Sequence, residues 1–441
     1  MSAQVLQTWE QHLAHLRQVV GEFPDRRTGD NTSYSMEDFG LAAFSVFFTQ
    51  CPSFLAHQEA MQRAKGQNNA HNLFHLKAIP CDNQIRTTLD PVSPEKLFPC
   101  YDAAFDSLYQ TGQLASWRTL AGKLLIALDG TWYASSQKIH CANCSCMEHK
   151  SGDKTYYHSA VTPVIVAPGH EHAIPLRPEF IIPQDGHSKQ DCEIAASKRW
   201  LEKNATRYAP LRAILLGDDL YCHQPFCRQT MLHGFDFLFV CKPDSHTTLY
   251  NWVNLLQRPD LGLVTERVKV GAHFHTYTYR YANGAPLAEG KDALKVNWCE
   301  VTVTDHEGKV IYHNGWVTNL TITDQNVAAI VATGRARWKI ENENNNTLKT
   351  KGYHLEHNFG HGKKHLSSLL AAMNILAFLY HTFLSFTDER YRLIRATLPT
   401  RQTFFDDLRA LTRYLLFDSW DALMDFMMRG LEIGPYAKPP S

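Results

Sequence analysis

"KLLIALDGTWY", Lys123 to Tyr133, holds a short apolar run, Leu124 to Leu128, that stops at Asp129 and Gly130. A run this short, bounded by turn residues, reads as a buried strand that delivers a carboxylate to its end. "LRAILLGDDLY", Leu211 to Tyr221, repeats the arrangement and ends in Asp218 and Asp219. Between them "YYHSAVTPVIVAP" (156–168) and "AIPLRPEFII" (173–182) read as strands, and "KQDCEIAASKRWLEKNATRYA" (189–209) as a helix. "FDFLFVCKP" (235–243) is a further apolar strand. Short buried strands interleaved with a helix predict an α/β core.

Outward from this core the pattern changes twice. Residues 1–120 read as helical: Val5, Leu6, Trp9, Leu13, Leu16 and Val20 recur at helical spacing, and "SMED" (35–38) resembles a capping box. A turn-rich stretch, "AIPCDNQIRTTLDPVSPEK", carries Arg86. Residues 246–325 alternate with period two, with an expected break at Asn283-Gly284 and a turn at "HEGK" (306–309), and read as a β-rich insertion of meander type. Helical character returns over "DQNVAAIVATGRARWKIENENN" (324–345) and continues through 326–400 and a C-terminal helical segment, 401–441. "LLAAMNILAFLY" (369–380) is too short and interrupted for a membrane span and reads as a core helix, so no membrane partner is expected.

The chain has 441 residues, 44% of them hydrophobic, and its 44 Lys+Arg balance 44 Asp+Glu. A neutral total argues against a bulk polyanion binder, although binding follows the local distribution of charge. The N-terminus shows no basic region followed by an apolar one, and eleven cysteines in a chain this long do not form a small disulfide framework. A reduced, cytoplasmic setting is expected.

Asp129 and Asp218 end two strands, and a third acid, Glu341, falls on a later helix with Arg337 four residues before it on the same face. Three carboxylates converging from such places suit a pair of Mg²⁺ ions, with Mn²⁺ as a substitute, since these ions take oxygen ligands and leave room for substrate phosphate. Between Thr333 and His365 seven Lys/Arg outnumber three Glu, a local +4 in a neutral chain. Asparagines at 344–346 can bond phosphates and base edges without adding charge.

"ALDGTWY", "LLGDDLY" and "RWKIENENNNTLK" resemble the three blocks of bacterial insertion-sequence DDE transposases with an Arg–Glu–Lys signature and a β insertion before the Glu. "AAFSVFFTQCPSFL" and "IPCDNQIRTTLDP" resemble their N-terminal region. The resemblance spans roughly residues 35 to 385. It implies an RNase H-like mixed-sheet core in two parts (121–245 and 326–400) and a DNA-end-binding N-terminal region. It also implies catalytic, metal-holding Asp129, Asp218 and Glu341, with DNA contacts from Arg337, Lys349, Lys351 and Arg86. Asp218 is preferred to Asp219 because Tyr221 follows it by three. The implied protein is a homodimeric transposase that cuts and joins double-stranded DNA in the bacterial cytoplasm, at the nucleoid when bound. The rivals are a metal-dependent nuclease that does not join, and an inactive DNA-binding descendant. Two positions depart from the signature: Gly334 stands where a Tyr is usual, and the lysine falls at 349, not 348.

"HCANCSCMEH" (140–149) offers Cys141 and Cys144, half of a zinc site. No second pair with standard spacing follows, so these cysteines are expected to pack and to hold no stoichiometric zinc. His354, His357, His361 and His365 do not make a hydrolase motif. His273, His275, Tyr277, Tyr279 and Tyr281 share one face of a strand, which most simply packs on its own domain.

Overall fold

In the computed structural model, which describes residues 5–28, 32–62, 64–183, 189–257 and 259–437, the run before Asp129 forms strand β1, Leu125–Ala127. Its residues are buried on both faces, which is why the run is continuously apolar and does not alternate. The chain bends at Asp129 and leaves as β2, Gly130–Ser136. The strands β3 (Ser145–Glu148) and β4 (Lys154–Val161) complete a hairpin with β2, and β5 (Val164–Val166) returns alongside β1. The stretch 156–168, expected as one strand, is thus split at Thr162-Pro163, where proline cannot donate to a ladder. The stretch 173–182 is split likewise into β6 (Ile174–Pro175) and β7 (Glu179–Phe180). The helix Lys189–Tyr208 leads to β8 (Ile214–Gly217), and β9 is Asp236–Val240.

The main sheet reads β6-β5-β1-β8-β9 at one end, with β1, β8 and β9 parallel and β5 and β6 antiparallel. The insertion supplies β10 (Gly262–Val270), β11 (His273–Pro286), β12 (Lys295–Thr304) and β13 (Val310–Thr318). These form an antiparallel meander whose last strand pairs with β9, so the insertion extends the core sheet to nine strands. The expected break at Asn283-Gly284 is a bulge inside β11, and the chain reverses instead at Gly271 (φ 60°). Asn283 bonds Ile322 through both amide atoms, and Gly284 donates to Asn297, so tertiary partners claim a pair that in isolation favours a tight turn. The tyrosine face of β11 packs as expected: Tyr279 is buried beside Val327, Ile330 and Val331 of the helix Val327–Arg335.

The capping box at Ser35–Asp38 starts the helix Met36–Phe48, with both reciprocal bonds present. This helix packs against Leu366–Thr387, which is long and apolar enough to cross a bilayer but is buried along nearly its whole length as a core helix. Helices at the two ends of the chain share that core. Asn69 bonds the carbonyls of Thr412 and Leu415, and the Trp420 indole bonds that of Leu73.

Candidate active site

The helical character expected over 324–345 is present, but not as one regular α-helix. After Arg335 the chain makes a turn and then a π-helical segment, Ile340–Asn345, before a short α-turn, Asn346–Thr350. Such wide turns are rare and concentrate at functional sites because they re-aim side chains. Here the re-aiming is visible. Asn345 is buried and donates from Nδ2 to Asp129 Oδ2 at 2.8 Å. Its Oδ1 accepts from Asn344 Nδ2 (2.9 Å) and from Thr162 Oγ1 (3.3 Å). The expectation that these asparagines face a nucleic acid is therefore corrected for Asn344 and Asn345. Both point into the protein, where Asn344 Nδ2 and both amide atoms of Asn345 find partners.

Arg337 is buried and its guanidinium donates to Glu341 Oε1 at 2.7 Å, one turn along as the spacing predicts. Glu341 remains partly exposed. Asp218 caps the turn that follows β8, accepting from the Leu220 amide at 2.9 Å. Asp219 is committed elsewhere: its Oδ1 takes the Lys242 amide (2.7 Å) and lies 3.3 Å from His246 Nε2. Burial alone would raise the Asp219 carboxyl, but bonds from His246, Ser245 and the Lys242 backbone outweigh it and hold it below the usual range.

Asp129 feels the charge of the other acids. Its carboxyl is pushed up to about 7, first by burial, then by the charge of Glu193, against the pull of Arg337, with Asp218 and Glu341 adding to the rise. The charge of Glu343 bears on Arg401. The fourth acid, Glu193 on the helix Lys189–Tyr208, was missed in the sequence. Its Oε1 accepts from the Gly130 amide (3.1 Å) and from Tyr221 Oη (2.8 Å). A Cβ on Gly130 would fall 2.3 Å from Glu193 Oε2, so glycine beside Asp129 makes room for this acid. That glycine was the one local signal of a close neighbour.

No family model matches the chain, and no curated protein matches it. Among solved structures it is similar to a piggyBac transposase synaptic complex with hairpin DNA, solved by cryo-EM. The TM-score is 0.36 and the identity 9%, with 98% of this chain and 89% of that chain covered.

Of the expected DNA-contacting residues, Arg337, Lys349 and Lys351 lie around the π-turn, and Arg86 is on the helix Asp82–Leu89. Lys351 is exposed, whereas Lys349 pairs with Glu356 at 2.8 Å. Arg86 lies over the Phe54 ring and lines a cleft with Asn358, Gly360, His361 and Lys363. The departure at Gly334 has a physical reason: a Cβ there would sit 2.6 Å from Trp316 Nε1, so no tyrosine fits.

Proposed function

We propose that the protein is a DNA transposase of the DDE type, cleaving strands at element ends and transferring them to target DNA. The observation that carries the reading is that Asp218 and Glu341 stand near enough to Asp129 for their charges to add to the rise of its carboxyl. Asp129 and Asp218 leave adjacent parallel strands, and Glu341 comes from a π-turn after a β insertion. The strand order β6-β5-β1-β8-β9, with its two antiparallel and two parallel pairings, is the order expected of an RNase H-like core. Of the Arg–Glu–Lys signature, Arg337 and Glu341 keep the spacing, while the lysine stands one position late at 349.

The donor set fits Mg²⁺ or Mn²⁺. All three acids are hard carboxylate donors, and the rise at Asp129, set first by burial and then by Glu193 with Asp218 and Glu341 adding to it, is what a divalent cation would relieve. Asp129, Asp218 and Glu341 would hold the metal. Bound there, it supplies the charge that activates an attacking oxygen and stabilises a leaving one at a phosphodiester. The chain's own residues do the positioning. Asn345 orients Asp129, Arg337 orients Glu341, and the Leu220 amide orients Asp218. Exposed Lys351, Lys363 and Lys364 supply phosphate contacts. Pairing two DNA ends calls for a homodimer, acting at the bacterial nucleoid.

The test uses a donor plasmid carrying the gene's flanking DNA, incubated with Mg²⁺, Mn²⁺ or Ca²⁺. Cleavage and a joined product are expected with Mg²⁺ and Mn²⁺, and binding with little cleavage with Ca²⁺. Nicking without joining would indicate a nuclease. Binding without either would indicate an inactive descendant.

A further inference from the structure

Cys141 and Cys144 sit in the connection between β2 and β3, His158 on β4, and His361 in the segment between the Glu341 turn and the helix Leu366–Thr387. Their ligand atoms all lie within 4.8 Å of one another. The separations are specific. Cys141 Sγ is 3.8 Å from Cys144 Sγ. His158 Nε2 is 3.5 Å from Cys141 Sγ and 3.4 Å from Cys144 Sγ. His361 Nε2 is 3.3 Å from Cys144 Sγ and 3.4 Å from His158 Nε2.

A tetrahedral zinc has bonds of about 2.3 Å to sulfur and about 2.05 Å to nitrogen, which puts S–S edges near about 3.8 Å, S–N edges near about 3.5 Å and N–N edges near about 3.3 Å. The S–S edge of 3.8 Å, the S–N edges of 3.3 to 3.5 Å and the N–N edge of 3.4 Å all lie close to these lengths. The local turn also matches: the Cys144 amide bonds the Cys141 carbonyl (3.2 Å), and the Cys141 amide points at Cys144 Sγ (3.4 Å). We infer that Cys141, Cys144, His158 and His361 bind one structural zinc ion, closed at four protein ligands.

The sequence reading found only half of this site because it sought a second local pair. The other half comes from β4 and from a histidine 217 residues beyond Cys144. The neighbouring candidates are otherwise engaged. His140 stacks on Tyr156, His149 Nε2 meets Thr155 Oγ1 at 2.8 Å, and Cys146 is exposed. A buried trio, Cys222, Cys241 and His246, is weaker, since His246 turns its Nε2 to Asp219.

The ion would join the hairpin that begins at Asp129 to the segment that follows Glu341. That segment carries Lys363 and Lys364, whose amides, with that of Leu366, are gathered by Asp90, while Asn143 bonds the Lys364 carbonyl at 2.6 Å. The zinc thus sets where these basic residues stand relative to the acids, whatever reaction the acids carry out.

The test is elemental analysis of tag-free, full-length protein after zinc supplementation and gel filtration. About one zinc per chain is expected, falling below about 0.2 in Cys144→Ser and His361→Ala and unchanged in Cys146→Ser and His149→Ala. Two measurements on the wild-type chain guard against variants that fail to fold. Cobalt substitution should give the intense visible absorption of tetrahedral thiolate coordination, and a mercurial titration should release the metal as two thiols react. Wild-type protein without zinc, or zinc retained by both ligand variants, overturns the proposal.

Discussion

Asn345 donates its side-chain amide to Asp129 Oδ2 at 2.8 Å, joining residues 216 apart in the chain. The bond fixes which carboxylate oxygen of Asp129 remains free, and Thr162 and Asn344 in turn fix Asn345. Removing a group that orients a metal ligand typically reduces activity about 10- to 100-fold. Asn345→Ala should therefore lower cleavage by that factor while DNA binding, measured by gel shift, stays within about twofold. Equal losses of binding and cleavage would show that Asn345 supports the fold and not the site.

Glu341 and Glu343 lie two residues apart but meet different partners, Arg337 for the first and the field of Arg401 for the second. Glu341→Ala should reduce the cleavage rate by about 10²-fold or more, as loss of a group that stabilises developing charge does. Glu343→Ala should keep substantial cleavage. The reverse result would mean that the π-turn presents the wrong face.

Gly334 faces the Trp316 indole with no room for a side chain. Forcing one into a packed contact costs about 1–3 kcal/mol, and more for a large group. Gly334→Tyr should lower the thermal midpoint more than Gly334→Ala does. A tyrosine variant as stable as the wild type would show that the helix Val327–Arg335 can move away from β13.

His12 and His57 are buried, and burial lowers each imidazole to about 4. His57 Nε2 is shared with Ser45 Oγ at 2.8 Å. Both are neutral in the fold, whereas in the unfolded chain they take up a proton near pH 6.5. The unfolded state therefore binds more protons below that value, and stability falls as pH drops from about 6.5 towards about 4. Each histidine accounts for about 2 kcal/mol of loss by pH 5. Denaturant unfolding at pH 8 and pH 5 should show a smaller loss for His57→Gln than for the wild type. An equal loss would mean that His57 does not contribute.

The sequence by itself determined the features that depend on near neighbours. The apolar runs before Asp129 and Asp218 became parallel central strands because a strand buried on both faces must be continuously apolar. Ser35–Asp38 formed its capping box, and Arg337 reached Glu341, because helical spacing brings such positions together. Only the tertiary structure decided what depends on distant chain segments. It turned Asn344 and Asn345 inward through a π-turn, placed Glu193 beside Gly130, and absorbed Asn283-Gly284 into a bulge. It also brought His158 and His361 to Cys141 and Cys144. Periodicity, caps and turn residues act over a few positions. Where a strand bends, which side chain is buried there and which distant group bonds it follow from how the sheets and helices pack.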